Sequence, residues 1–173
     1  MSYKSAIEWT RGDDGSPGST WNPVTGCTKV SAGCKFFYAE RLFSRVYGRQ
    51  RIVDASKGIE RPSEFTDVLC HPERLDKPLR WKKPRRIFVN SMSDLFHDDV
   101  PDEFIDKIFA VMARAEQHTF QILTKRPKRM KKFCLLEAHS FYVRPLPNVW
   151  LGVSVEDQAT ADERRGCRSN GEV

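Results

Sequence analysis

With 173 residues, 39% of them hydrophobic, the chain can bury one core of ordinary size and is too short for two domains. No run approaches a membrane-spanning apolar length, and MSYKSAIEWT lacks the features of a secretory signal or a transit peptide, so a soluble cytoplasmic protein without membrane contact is expected. Five cysteines, an odd number without secretory character, point to free thiols or metal ligands, and the net charge of +6 allows a polyanionic partner.

IEWT is followed by RGDDGSPGS, a Gly-, Asp- and Ser-rich turn or loop, and then by TWNPVTGC, the first candidate strand. Cys27 and Cys34 follow with six residues between them. Over residues 35–47, Phe36, Ala39, Phe43 and Val46 recur at three- and four-residue spacing, which predicts a helix starting just after Cys34. From Tyr47 to Arg86 there is little sustained period, and EFTDVLCHPERL suits either a short strand or a helical turn.

RRIFVNSMSDLF then supplies a buried strand from Ile87 to Asn90 or Ser91. In VPDEFIDKIFAVMARAEQH, Pro101 stands at a first helical position, Asp102 and Glu103 favour the positive end of the helix dipole, and Ile105, Ile108, Met112 and Ala115 share one face. FQILT (120–124) reads as a second buried strand, KRPKRMKKFCLLEA as a helix after Pro127, and NVWLGVSV (148–155) as a third such strand. That alternation is the order of a parallel α/β structure.

Parallel strands bring their carboxyl ends to one rim. The residues there are Asn90, Ser91, Ser93 and Asp94, then Thr124, Lys125 and Arg126, then Ser154, Glu156 and Asp157, with Cys27 at the end of the first strand. Such residues also serve as caps, so each has a purely structural reading too. Two cysteines fit a metal site or a pair of buried structural thiols equally, and a zinc site completed by His71 and His97 is a further alternative. The cations cluster in RWKKPRR (80–86) and KRPKRMKK (125–132), which suit nucleic acid or a solvated helix face.

The stretches IEWT, TWNPVTGC, KVSAGCK, YAERL, FVNSMSDLFHDDVP, FQILTKRP and NVWLGVSVEDQATADER, in that order from Ile7 to Arg164, resemble the phage-associated three-Cys-motif family. Those proteins of phages and mobile elements are similar to radical S-adenosylmethionine enzymes. The resemblance implies a partial (βα) barrel of parallel strands over residues 1–164, an iron–sulfur cluster of the 4Fe–4S type ligated through Cys27 and Cys34, and S-adenosylmethionine across the rim. Three thiolates leave the fourth iron open to chelation by S-adenosylmethionine, whose reductive cleavage starts radical chemistry on a substrate that is unknown. Ser93, Asp94, Lys125, Ser154 and Glu156 are the rim positions for S-adenosylmethionine or substrate, an assignment that rests on their place at strand ends.

The chain departs from that family twice. The pattern Cys, six residues, Cys, two residues, Cys is kept at Cys27 and Cys34 and broken at Phe37, while Tyr38-Ala39-Glu40 follow in register. A phenyl ring donates no thiolate, so the cluster is expected to be absent, labile or of a different type unless Cys70, His71, His97 or an outside thiol replaces the lost ligand. After ADER, residues 165–173 form an irregular tail, which predicts a barrel truncated after about four strands, its last strand an exposed edge open to self-association. The alternative function is a non-enzymatic basic module that binds nucleic acid.

Overall fold

The computed structural model describes residues 7–12, 15, 17–34, 38–47, 64–135 and 146–165. Its strands are β1 (Ser19–Trp21), β2 (Val24–Thr25), β3 (Leu69–Cys70), β4 (Arg86–Val89), β5 (Thr119–Thr124) and β6 (Val149–Val153). Its α-helices are α1 (Tyr38–Tyr47), α2 (Asp102–Arg114), α3 (Pro127–Leu135) and α4 (Gln158–Arg165).

The aromatic and β-branched runs RIFV and TFQILT form the centre of a four-stranded sheet in the order β1-β4-β5-β6, with each neighbouring pair parallel. Parallel neighbours need a crossover, and α2 supplies the one between β4 and β5. The chain is therefore an α/β protein. Because side chains alternate along a strand, the register separates two rows across the sheet. One row is Trp21, Val89, Ile122 and Leu151, and the other is Thr20, Phe88, Gln121 and Trp150.

The first row, apart from the exposed Leu151 at its end, belongs to the core. Trp21, Val89 and Ile122 are buried in one cluster with Ile105, Ile108 and Met112 of α2, the face expected from helical spacing, joined by Phe104, Phe109 and Val111. Phe133 of α3 extends this cluster, its ring centroid 6.0 Å from that of Phe96 and 5.6 Å from that of Phe109. Asn148, just before β6, donates to the carbonyls of Met112, Ala115 and His118 and so holds the carboxyl end of α2. In the second row Phe88 meets the edge of Trp9 at 6.0 Å, and Gln121 Nε2 donates to the Trp9 carbonyl at 3.4 Å.

The first candidate strand proves to be two. Pro23 has no N–H for a ladder, so β1 stops at Trp21, and the chain re-pairs as β2, antiparallel to β3. The Pro23 carbonyl accepts from the His71 N–H at 2.7 Å. Cys27 consequently does not end a strand of the main sheet; it follows Gly26, which makes an isolated parallel bridge to Ser93. EFTDVLCHPERL contains both expected forms, β3 and a 3-10 helical turn at Pro72–Arg74. Pro101 precedes α2 as its cap, so the helix itself begins at Asp102. Residues 35–37, where the helix after Cys34 was expected to start, and the tail 166–173 lie outside the described residues.

Among the described residues β6 forms one edge of the sheet, with Trp150 52% and Leu151 42% exposed. Among them, too, no helix is long and apolar enough to cross a membrane.

Candidate functional site

The carboxyl ends of β4, β5 and β6 and the loop that follows β2 surround a cavity of about 190 Å³. Cys27, Cys34, Ser93, Asp94, Lys125 and Ser154 all line it. Of the seven residues singled out from the sequence, the structure brings six to one cavity. Glu156 stands beside it, with Lys125 Nζ at 3.0 Å from its Oε1.

Asp94 is the hub of the floor. One carboxylate oxygen accepts from the Phe96 N–H at 3.0 Å and the Thr124 hydroxyl at 2.7 Å. The other accepts from the Lys125 N–H at 2.9 Å and Arg126 Nη1 at 3.4 Å. A buried carboxylate is stable only with such donors, and these four tie the loop after β4 to the end of β5. Ser93 donates to the Val24 carbonyl at 2.8 Å. The polar atoms of Ser93 and Asp94 are thus engaged in holding the rim together.

Arg126 fastens the cysteine loop to this hub. Nη1 also reaches Cys27 Sγ at 3.6 Å, and Nη2 donates to the Thr28 carbonyl at 3.2 Å and hydroxyl at 2.9 Å. Nε lies 3.9 Å from Asp98 Oδ2 and has no hydrogen-bond partner among the described residues. The Thr28 hydroxyl faces His97 Nε2 at 2.7 Å, while Nδ1 of that ring accepts from the Asp99 N–H at 3.2 Å, which makes Nε2 the protonated nitrogen. Burial, with Arg126 adding to it, pushes the His97 pKa down, in keeping with a neutral ring.

The far end of the loop is docked on Glu156. Its Oε1 accepts from the Ser31 hydroxyl at 2.9 Å, and its Oε2 lies 3.1 Å from Arg164 Nη1. Burial alone would raise the Glu156 pKa, but Lys125, Ser31 and Arg164 together hold it below the ordinary carboxylate range. Gly33 is required by this docking, because a Cβ there would lie 2.0 Å from Glu156 Cγ. Asp157 next to it accepts from the Thr160 N–H at 2.8 Å and caps α4.

The two thiols are electrostatically unlike. Burial pushes the Cys27 pKa up and Arg126 offsets only part of that. For Cys34, burial is outweighed by hydrogen bonds from the backbone at Val30 and Ser31 and by the Lys125 charge, with the Ser31 oxygen 3.8 Å from its sulfur, so its pKa is lowered. Cys34 is the better thiolate donor of the pair.

The other donors considered are placed elsewhere. Cys70 sits in β3, outside the cavity lining. His71 has Nε2 at 2.7 Å from the Thr25 hydroxyl and Nδ1 at 3.3 Å from Glu73. His97 is committed as described above. Among the described residues no group of three His, Cys, Asp or Glu side chains is arranged to hold a metal ion. Phe37 lies outside the described residues.

The two basic stretches fall at opposite ends of the parallel sheet, since 80–86 leads into β4 and 125–132 runs out of β5. Several of their cations are already paired: Arg86 donates to the Arg11 carbonyl at 2.7 Å, Lys128 lies 3.6 Å from Glu163, and Arg129 lies 2.8 Å from Asp102. Arg126 and Asn90, both cavity residues, stood among the polar strand ends in the sequence but not among the assigned site residues. Their runs, KRPKR and VNSMSD, carry no mark of which member becomes buried.

A family model described as "Protein of unknown function (DUF5131)" matches residues 4–169. No curated protein and no solved structure matches the chain. Matched over nearly its full length, the chain belongs to the DUF5131 family.

Proposed function

We propose that the chain is a degenerate member of the radical S-adenosylmethionine-like proteins of phages and mobile elements, and that its rim cavity descends from a pocket for an iron–sulfur cluster and S-adenosylmethionine. In this reading the four parallel strands are the opening units of a (βα) barrel, because β1, β4, β5 and β6 are neighbours in the order in which the chain lays them down. The observation that carries the reading is the convergence of Cys27 and Cys34 on one cavity at the carboxyl rim. The ancestral activity would be radical-initiated modification of a substrate that the cavity does not name.

The described residues do not fit that cluster. A cubane with one open iron takes three thiolates, and among the described residues the cavity is lined by two. The third family position is Phe37, and Cys70 is held in the β2–β3 ladder. No chemical step is therefore assigned to a cluster in this chain, and its activity reduces to what the cavity binds. Anaerobic incubation of wild type and Phe37→Cys with iron and sulfide tests the reading. Wild type should stay nearly colourless and Phe37→Cys should gain a thiolate-to-iron absorption band. A folded Phe37→Cys protein that remains colourless rejects it.

The nucleic-acid reading has less support, because the two cationic stretches lie on opposite rims and many of their charges are paired. A labelled duplex and a labelled single strand titrated at two salt concentrations should show only weak binding. Tight binding that falls steeply with salt would restore it.

A further inference from the structure

We propose that the open edge of β6 pairs with the same edge of a second copy of this chain, antiparallel and about a two-fold axis at Leu151. The pairing uses nothing of the rim cavity and is independent of the cluster reading. Among the described residues β6 is bonded to β5 on one side only. The Asn148 carbonyl accepts from the Phe120 N–H at 2.8 Å, and the Ser154 N–H donates to the Thr124 carbonyl at 2.9 Å. Residues of that parity, Trp150 and Gly152 included, therefore turn their backbone groups towards β5. Alternation aims the N–H and C=O of Leu151 and Val153 at the open side, where such groups are a template for another strand.

The sequence of the edge selects the partner. A strand that meets itself needs a register in which every residue suits its opposite, and VWLGV has one centred on Leu151. There Leu151 faces its own counterpart, and its outward backbone groups exchange both N–H···O bonds with it. Val153 donates to the carbonyl of Val149, whose own N–H is already turned to the Leu146 carbonyl at 3.1 Å. Trp150 faces Gly152 at a non-hydrogen-bonded position, where side chains come closest. The glycine leaves the indole room, and Leu123 gives it an apolar wall, since its Cδ2 lies 2.6 Å from where a Gly152 Cβ would stand. An aromatic ring across an edge glycine is a stabilising cross-strand pair. Centring the axis one residue earlier would set Val153 against Pro147, which has no N–H, and one residue later would set Gly152 against itself. The charges agree with an antiparallel partner. β6 itself carries none, Glu156 and Asp157 follow its carboxyl end, and the basic stretch 80–86 stands at the amino ends of the sheet, so unlike charges are brought towards each other.

Cross-linking of full-length variants reads the register. Val149→Cys, Leu151→Cys and Val153→Cys are oxidised mildly, alone and mixed in pairs, and the linked peptides are identified by mass spectrometry. Facing Leu151 positions stand about 5.5 Å apart between Cα atoms, within the span of a disulfide, whereas two Val153 positions are more than about 10 Å apart in this register. Leu151→Cys should therefore link to itself, and Val149→Cys should link to Val153→Cys, each about tenfold faster than Val153→Cys links to itself or Leu151→Cys links to Val149→Cys. Sedimentation velocity on the wild type does not depend on any variant folding. It should show monomer giving way to dimer, and to nothing heavier, as concentration rises, because a two-fold pairing uses up the edge. A wild type that stays monomeric or grows into open-ended assemblies overturns the proposal, as does linkage of Leu151→Cys to Val149→Cys, or of Val153→Cys to itself, as fast as that of Leu151→Cys to itself. None of these outcomes depends on whether iron is taken up by Phe37→Cys, so the two readings fail separately.

Discussion

The guanidinium of Arg126 lies 3.4 Å from the carboxylate of Asp94, with both side chains more than nine-tenths buried. Removing one partner leaves the other as an uncompensated buried charge, which costs about 3–5 kcal/mol. Asp94→Ala should lose about that much in urea unfolding, with the loops after β4 and β5 freed together. Asp94→Ala combined with Arg126→Met should lose clearly less than the sum of the two single changes. Additive losses would show that the pair is not coupled.

Gly33 and Glu156 form a steric pair. Gly33→Ala should force the Glu156 side chain away from Ser31, Lys125 and Arg164, destabilising the protein by about 1–3 kcal/mol. Glu156→Ala removes the obstacle, so Gly33→Ala made in that background should cost much less. Thermal unfolding of the four proteins measures the difference. Equal costs in both backgrounds would mean that Gly33 is needed for some other reason.

The unlike thiols predict unlike pH profiles. Alkylation runs through the thiolate, so the Cys34 rate should rise with a midpoint below the ordinary thiol value and the Cys27 rate with one above it. Peptide mass spectrometry after timed iodoacetamide treatment gives both midpoints. Lys125→Met should move the Cys34 midpoint up and leave Cys27 nearly unchanged. A common midpoint for the two cysteines would contradict the assigned environments.

At the sheet edge, β6 carries no charged residue or proline, and Trp150 and Leu151 are exposed on opposite faces. Such edges pair with other chains unless they are blunted. Leu151→Lys should therefore raise the monomer fraction in sedimentation velocity several-fold at concentrations where the wild type associates. A wild-type distribution that is monomeric throughout would remove the edge as an association surface.

What could be read from the sequence was what depends on local pattern. The spacing of Ile105, Ile108 and Met112 located the buried face of α2, and the alternation of strands and helices placed Ser93, Asp94, Lys125 and Ser154 on one rim. The break in TWNPVTGC was legible in Pro23, whose missing N–H is a local property, but the re-pairing of Val24 and Thr25 with Leu69 and Cys70 spans more than forty residues and leaves no local trace. The same applies to Arg126 and Asn90. Each becomes a cavity residue through partners far along the chain, Cys27 and Thr28 for the arginine and Val24 for the asparagine.

The central claim is that Cys27 and Cys34 are two members of a three-sulfur set whose third place is Phe37. It is tested most directly by iron content after anaerobic reconstitution of Phe37→Cys, alone and combined with Cys27→Ser or Cys34→Ser. The account predicts about four irons per chain in Phe37→Cys and little iron in either double variant or in the wild type. Equal iron in the wild type and Phe37→Cys, or iron retained without Cys27 or Cys34, would contradict it.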